Sequence, residues 1–166
     1  MADKVTQRAR RVRLAIFDVD GVMTDGTLWF GPRGEVMKAF NILDGHGLKL
    51  LRKSGIATAL LSGRKSAAVA HRARELSIDY VIQGTGDDKV PEFERLVAKA
   101  GVTADQCSFM GDDIQDLPIM KRCGFRVAVL NAMPAVKEAA HYVTTAHGGR
   151  GAVRELCELV LRAQAR

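Results

Sequence analysis

The chain is 166 residues long, with 47% hydrophobic and 27% charged residues. This length and composition predict a single globular domain with a buried core, and they argue against intrinsic disorder. Its apolar runs are much shorter than the roughly 20 residues of a membrane-spanning helix, and the N-terminus lacks the apolar stretch of a signal peptide. We therefore expect a cytoplasmic protein without a membrane partner.

The formal net charge of +6 is concentrated near the N-terminus. Residues 1–13 hold Lys4, four arginines and Asp3, a net charge of +4, which leaves only +2 for the rest of the chain. We interpret residues 1–12 as a basic, solvated tail and residues 13–166 as the folded domain. Nucleic-acid binding is not expected, because the chain lacks spaced aromatic residues on which bases could stack. A weakly positive domain does suit a small anionic ligand.

Short apolar runs alternate with helical patterns along the chain. A strand is expected at residues 13–17, and residues 28–30 and 35–40 form a hairpin around a turn at residues 31–34. The elements expected after the hairpin are helix 46–53, strand 58–61, helix 66–76, strand 80–82, helix 90–100, strand 108–110, helix 114–121, strand 126–130, helix 135–140, strand 142–144 and helix 153–163. This alternation predicts an α/β fold with a doubly wound, mostly parallel sheet covered by helices on both faces.

Polar residues recur at the points where the predicted strands end. They are Asp18 and Asp20 after strand 13–17, Ser62, Gly63 and Arg64 after strand 58–61, Lys89 at the start of helix 90–100, and Asp112, Asp113 and Asp116 after strand 108–110. Ligands of parallel sheets bind beyond the carboxyl ends of the strands, so we expect these side chains to converge. Neighbouring carboxylates repel one another unless a cation lies between them, and an all-oxygen set favours Mg²⁺.

This set of side chains suits the transfer of a phosphoryl group. Asp18 can act as a carboxylate nucleophile that forms an aspartyl-phosphate. Asp20, two residues further on, can protonate the leaving oxygen and later take a proton from water. Mg²⁺, Lys89, the Ser62 hydroxyl and backbone N–H groups of the glycine-containing loops would neutralise charge on the phosphoryl oxygens.

Each of these features has a simpler interpretation when taken alone. A pair of aspartates two residues apart is often a solvated loop or a helix cap, and Asp113 could cap the helix that starts at residue 114. Arg64 could bind a substrate carboxylate or pair with a neighbouring acid on the surface. Arg150 could reach the site of a neighbouring subunit or lie in a mobile segment. The four features in this order, each beside a strand end, favour the catalytic interpretation.

The same residues resemble the four signature motifs of the haloacid dehalogenase superfamily of phosphatases. These motifs are Asp18-Val19-Asp20-Gly21-Val22, Leu61-Ser62-Gly63-Arg64, Lys89 and Gly111-Asp112-Asp113. Further segments resemble the branch of the superfamily that acts on 3-deoxy-D-manno-octulosonate 8-phosphate, a small acidic sugar phosphate. They are Thr24-Asp25-Gly26, Phe40-Asn41, Asp44-Gly45, Gln83-Gly84 and residues 148–155, so that the resemblance runs from about Arg13 onward.

The resemblance implies a fold without a separate cap domain, in which the hairpin at about residues 28–40 acts as a flap. It implies that Mg²⁺ is held by the carboxylates of Asp18 and Asp112 and by the backbone carbonyl of Asp20, with Asp113 and Asp116 in supporting roles. Ser62 and Lys89 would bind the phosphate. It also implies a homotetramer in which neighbouring subunits and the glycine-rich segment at about residues 148–151 complete the pocket.

Three other functions are alternatives to this hypothesis. The substrate could be a related nine-carbon keto-sugar-acid phosphate, and the sequence does not separate the two sugars. The chain could also be a non-catalytic assembly module, although such a module need not retain Asp18, Asp20 and Asp112. A phospho-receiver also uses Asp, Lys and Mg²⁺, but its lysine follows the acidic residues, whereas Lys89 precedes Asp112 here.

Overall fold

The structure is a computed structural model that describes residues 2–165. Its strands are β1 (Leu14–Phe17), β2 (Trp29–Gly31), β3 (Gly34–Met37), β4 (Ala57–Ser62), β5 (Tyr80–Gln83), β6 (Cys107–Gly111), β7 (Phe125–Ala128) and β8 (Tyr142–Val143). Its α-helices are α1 (Ala2–Arg10), α2 (Ile42–Lys53), α3 (Ala67–Leu76), α4 (Val90–Ala100), α5 (Leu117–Met120), α6 (Pro134–Ala139) and α7 (Ala152–Gln164). No helix within this range combines the length and apolar composition needed to cross a membrane.

Six strands form a parallel sheet in the order β5-β4-β1-β6-β7-β8, which confirms the predicted α/β fold with a doubly wound sheet. β1 is central, and Phe17 is in register with Leu60 on one side and Met110 on the other. The strand order reverses around β1, so the crevice at its carboxyl end is the expected ligand site of this topology. The antiparallel pair β2–β3 is a separate hairpin, as predicted for the flap.

The central strands are buried along their whole length. All four residues of β1 and all five of β6 are buried, as expected for parallel strands covered by helices on both faces. The helix predicted at 46–53 begins four residues earlier, at Ile42. The Asn41 side chain explains this start, because its oxygen accepts hydrogen bonds from the N–H groups of Leu43 and Asp44.

The N-terminal segment differs from the solvated tail predicted for residues 1–12. Residues 2–10 form helix α1, which packs against α7. Ala9 and Val12 are almost completely buried in the core, and the Arg10 side chain donates a hydrogen bond to the carbonyl of Ala163. The arginines dominate the composition of this segment, but its small apolar side chains lie on the face that meets α7.

The helix predicted at 114–121 is divided into a 3₁₀ turn at Ile114–Asp116 and the short helix α5. Pro118 accounts for the division, because it has no N–H group to donate to the carbonyl of Ile114. Leu117 donates to that carbonyl instead, in the tighter 3₁₀ pattern.

A buried carboxylate joins α2 to α7. Asp44 is 1% exposed, and its oxygens accept hydrogen bonds from the backbone N–H of Arg154 at 2.8 Å and of Gly151 at 3.3 Å. A carboxylate at this position also interacts favourably with the positive end of the helix dipole. The contact fixes the start of α7 and therefore the glycine-rich segment that precedes it.

We expect Asp44→Ala to lower the free energy of unfolding by about 2 kcal/mol, because it leaves two partly buried N–H groups of the α7 N-terminus without acceptors. Urea denaturation followed by circular dichroism measures this change. Glu94→Ala is the matched control, because Glu94 is exposed and its contact with Arg122 is a loose surface pair at 3.9 Å. An equal effect of both substitutions would contradict the role given to Asp44.

Candidate active site

The carboxyl ends of β1, β4 and β6 meet around a cavity of about 220 Å³. The Asp18 N–H donates to the carbonyl of Met110 at 3.0 Å, which holds the first residue after β1 against β6. The cavity is lined by Asp18, Asp20, Gly26, Ser62, Gly63, Arg64, Lys89, Asp112, Asp113 and Gln115. Sequence reasoning selected eight of these ten as site residues. Gly26 was named only within the segment Thr24-Asp25-Gly26, and Gln115 was missed.

Lys89 is a buried cation between two carboxylates. Its ammonium group lies 3.0 Å from Asp18 Oδ1 and 2.8 Å from Asp116 Oδ1, and its side chain is 3% exposed. Burial alone would lower the pKa of Lys89, but the charges of Asp18 and Asp116 outweigh burial and raise it. Lys89 is therefore held in its charged form beside the predicted nucleophile.

Asp116 organises the loop that follows β6. One of its carboxylate oxygens contacts Lys89, and the other accepts the backbone N–H groups of Asp112 at 3.0 Å and Asp113 at 3.3 Å. Gly111 lies so close to this carboxylate that an added side-chain carbon would stand 2.5 Å from Asp116 Oδ2. Asp116 thus positions the backbone that carries Asp112.

Asp18, Asp112 and Asp116 could together hold a metal ion, since one carboxylate oxygen from each lies within 4.8 Å of the others. Burial, followed by the charge of Asp116, raises the pKa of Asp18 to about 7. Burial and the charge of Asp18 raise the pKa of Asp112 to about 8. Asp112 Oδ1 is buried and has no hydrogen-bond partner in the described structure. Crowded carboxylates with an unpartnered oxygen fit a divalent cation.

Gly21 keeps space for the Asp112 carboxylate. It has φ +87°, which favours glycine, and any side-chain carbon at this position would overlap that carboxylate. Gly63 has a similar role on the other side of the cavity, where an added carbon would lie 2.6 Å from the carbonyl oxygen of Gly86. Ser62, which precedes it, is buried at the end of β4 and faces the cavity.

The Asp20 carboxylate is turned towards the flap rather than towards the three-acid cluster. It forms a close ion pair with Lys38, and Arg64 Nε lies 3.7 Å from its other oxygen. The sequence-based metal assignment for Asp20 concerned its backbone carbonyl and stays a prediction. Lys38 was not selected from the sequence, because a lysine after a short strand carries no local signal of such a contact.

Asp113 and Arg64 both line the cavity, but each also has a local partner. Asp113 is exposed and caps the 3₁₀ turn by accepting the Ile114 N–H at 2.7 Å. Arg64 is half-exposed, and its guanidinium lies over the Phe30 ring at 5.7 Å. Asp113 is therefore a cap, as its simpler interpretation predicted, while its supporting role at the metal site and the substrate contact of Arg64 stay predictions.

Arg150 does not line the cavity of its own chain. It is mostly exposed and lies 3.6 Å from Asp25. The neighbouring glycines pack against the loop after β1, where the Gly149 N–H donates to the carbonyl of Val22 at 2.9 Å. Substrate binding by Arg150 therefore stays a prediction that would require a second subunit.

Asn131 connects this glycine-rich segment to the loop that carries the acids. Its side-chain amide donates to the Gly21 carbonyl at 3.1 Å, and its side-chain oxygen accepts the Gly148 N–H at 2.7 Å. Sequence reasoning missed Asn131, whose two partners are distant in the sequence. The segment before α7 is thus part of the wall that supports the acidic site.

Comparison with known proteins agrees with the geometry of this site. The profile of the haloacid dehalogenase-like hydrolases matches residues 82–156. The strand order, the acids after β1 and β6 and the buried lysine place the chain in this class of hydrolases. A 3-deoxy-D-manno-octulosonate 8-phosphate phosphatase from Yersinia pestis is 45% identical over 164 residues, covering 99% of this chain and 87% of the relative. The chain belongs to the family of 3-deoxy-D-manno-octulosonate 8-phosphate phosphatases.

Other relatives and solved structures support this assignment. The Escherichia coli K12 phosphatase of the same name is 42% identical over 160 residues, covering 96% of this chain and 85% of the relative. A Moraxella catarrhalis phosphatase, solved with magnesium, phosphate and the sugar acid KDO, has a TM-score of 0.94 at 41% identity, covering 98% of this chain and 92% of its own. The crystal structure of the Yersinia pestis phosphatase also has a TM-score of 0.94, at 45% identity, and the match covers 98% of this chain and 87% of the Yersinia pestis chain.

We expect Mg²⁺ to raise the thermal unfolding midpoint by roughly 5 °C, because a cation relieves the repulsion among the buried acids. Protons compete for the carboxylates of Asp18 and Asp112, whose pKa values are raised to about 7 and about 8. The shift should therefore be larger at about pH 8 than at about pH 6. Differential scanning fluorimetry with and without a chelator measures the shift.

Asp112→Asn should remove most of this shift, because it removes the charge of an oxygen that has no other partner. Asp105→Asn should keep it, since Asp105 is exposed and pairs with Arg11. An undiminished Mg²⁺ shift in Asp112→Asn would show that the ion binds elsewhere.

Proposed function

We propose that this protein hydrolyses 3-deoxy-D-manno-octulosonate 8-phosphate to the free sugar acid and phosphate, a step in the synthesis of lipopolysaccharide sugar. The observation that carries the proposal is the ion pair between Lys89 and Asp18 at the end of β1, beside the unpartnered oxygen of Asp112. The relatives named above support the choice of substrate. A nine-carbon keto-sugar-acid phosphate is the alternative substrate.

In the first step, an Asp18 carboxylate oxygen attacks phosphorus, and the bond between phosphorus and the sugar oxygen breaks. The electron pair of that bond goes to the sugar oxygen, which takes a proton from Asp20. Lys89, already 3.0 Å from Asp18, can interact with the phosphoryl oxygens, as can the Ser62 hydroxyl on the cavity wall. The products of this step are the sugar acid and an aspartyl-phosphate.

In the second step, water attacks phosphorus and releases phosphate, which restores the Asp18 carboxylate. Asp20, having given up its proton, takes one from the attacking water. Mg²⁺ held by Asp18, Asp112 and the Asp20 carbonyl would neutralise negative charge on the phosphoryl group. Asp116 and Asp113 would support the loop that carries Asp112.

Arg64 and Gly63 are proposed to bind the substrate. Arg64 stands on the cavity wall within reach of two acids, and the guanidinium could exchange these partners for the substrate carboxylate. The tight packing of Gly63 against Gly86 keeps the loop backbone close to the phosphate position.

We further propose that the protein is a cytoplasmic homotetramer whose neighbouring subunits close the site. The flap and the start of α2 support this proposal, because they expose large apolar side chains. These side chains are Trp29, Phe30, Val36, Met37, Ile42 and Leu43. An exposed apolar surface beside an open cavity is typical of a protein interface. Arg150 of a neighbouring subunit could then reach the substrate.

Asp18→Asn should lower phosphate release with Mg²⁺ by at least about a thousand-fold, because the amide is a poor nucleophile. Asp105→Asn changes an exposed acid just before the amino end of β6, away from the carboxyl ends that carry the site, and should retain full activity. Circular dichroism would establish that both variants are folded. Turnover by Asp18→Asn at the wild-type rate would rule out the proposed nucleophile.

A comparison of kcat/KM on the eight-carbon and nine-carbon sugar phosphates identifies the substrate. We expect kcat/KM to be at least about ten-fold higher for the eight-carbon compound, because the relatives described above are phosphatases of 3-deoxy-D-manno-octulosonate 8-phosphate. A preference for the nine-carbon compound would select the alternative. A folded, Mg²⁺-binding protein that releases no phosphate from any sugar phosphate would indicate the assembly module.

Ile42→Glu should dissociate the tetramer. Ile42 is 79% exposed in the single chain, and the substitution would place a charge where a neighbouring subunit is proposed to cover it. Light scattering coupled to size-exclusion chromatography measures the mass of the assembly. Val81→Glu on the edge strand β5 is the control, since Val81 is also exposed but lies outside the flap. A wild-type mass of one chain would contradict the proposed tetramer directly.

A further inference from the structure

Lys38 follows the flap strand β3 and is buried against the acid that is proposed to transfer protons. Its side chain is 1% exposed, although Met37 beside it is 55% exposed. Its ammonium group pairs closely with Asp20 Oδ1 and lies 3.1 Å from Glu35 Oε2. A buried lysine requires such partners, since desolvation of the ammonium group is costly.

Contacts of Lys38 within the flap are in turn anchored to the body of the domain. Glu35, three residues earlier on the flap, contacts Lys38 and accepts a hydrogen bond from the Ser66 hydroxyl. Ser66 is the N-cap residue of α3 and so belongs to the body of the domain. Burial would raise the pKa of Glu35, but hydrogen bonds from Ser66 and Lys38 outweigh it and lower the pKa. Glu35 is therefore an ionised link between Lys38 and α3.

The two cations that contact the Asp20 carboxylate differ in their freedom to move. Arg64 is 46% exposed and lies 3.7 Å from Asp20 Oδ2, so it can turn towards a ligand in the cavity. Lys38 is enclosed and cannot do so without leaving Glu35. In the proposed substrate complex, where Arg64 has turned to the ligand, Lys38 is the cation that still contacts the Asp20 carboxylate.

We propose that Lys38 is a positioning residue for proton transfer: it holds the Asp20 side chain in the orientation from which the carboxyl group gives its proton to the leaving oxygen, and it pairs with the carboxylate that this transfer leaves behind. This inference rests on the proposed acid–base role of Asp20. It assigns the flap a part in the chemistry beyond covering the site, because displacement of the flap withdraws Lys38 and frees the Asp20 side chain.

The experiment compares kcat/KM, with Mg²⁺, for a series of substituted phenyl phosphates from p-nitrophenyl phosphate to phenyl phosphate. Because kcat/KM includes only the steps up to departure of the leaving group, it reports on the acid role of Asp20. A good leaving group such as p-nitrophenolate departs without a proton, whereas phenolate needs one. The series also avoids any effect on recognition of the sugar.

Lys38→Met should lower kcat/KM for phenyl phosphate by at least about ten-fold but for p-nitrophenyl phosphate by less than about three-fold. Asp20→Asn should show the same dependence on the leaving group, with a larger loss. Lys38→Arg keeps a cation at this position and should recover part of the activity on phenyl phosphate. Lys53→Met, at an exposed lysine at the end of α2, should match the wild type.

Each alternative outcome has a distinct meaning. If Lys38→Met lowers kcat/KM equally for all leaving groups, or does not lower it, the positioning role is overturned. The proposed function still stands in that case, provided that Asp20→Asn shows the expected dependence on the leaving group. An Asp20→Asn variant without dependence on the leaving group would overturn the acid role, and the inference with it. Wild-type protein that hydrolyses no phosphate in the series or from a sugar would overturn the proposed function itself. A thermal unfolding midpoint close to that of the wild type would show that a variant lost activity without losing its fold.

Discussion

The contact of one buried lysine with two buried aspartates is the interaction on which the site depends. Lys89 lies within 3.0 Å of both Asp18 and Asp116, and each of these acids fixes a different part of the structure. Asp18 ends the central strand, and Asp116 holds the loop that carries Asp112. When all three acids are ionised, the single charge of Lys89 leaves two negative charges uncompensated. That remainder matches a divalent cation, so the same arrangement shapes the site and creates its requirement for metal.

Most of the sheet could be predicted from the sequence because its strands are short, continuous apolar runs bounded by turns and helices. β1 and β6 are buried on both faces, and strands of this kind are nearly continuous apolar runs, unlike the alternating pattern of surface elements. The division at Pro118 could also have been predicted, since proline lacks the N–H group that a continuous helix needs. Helix α1 could not, because its burial depends on α7, which lies at the other end of the chain.

The residues that converge at the strand ends were predictable for a topological reason. Parallel strands bring their carboxyl ends to one edge, so that Asp18, Ser62 and Asp112 are neighbours in space whatever separates them in sequence. The contacts of Lys38 and Asn131 follow no such rule. Lys38 meets Asp20 only because the hairpin folds over the cavity, and Asn131 joins two loops through side-chain hydrogen bonds. Local sequence patterns do not predict contacts of this kind.

The connection between β8 and α7 has a consequence for how the protein loses activity. Asn131 and Asp44 tie this connection to the loop after β1 and to α2, yet it contributes no strand to the sheet. Proteolytic cleavage between Thr145 and Arg150 would therefore spare the six-stranded framework but release one wall of the acidic site. The nicked protein would keep its far-ultraviolet spectrum while it ceased to turn over substrate. We therefore expect inactivation by such a cleavage to precede unfolding.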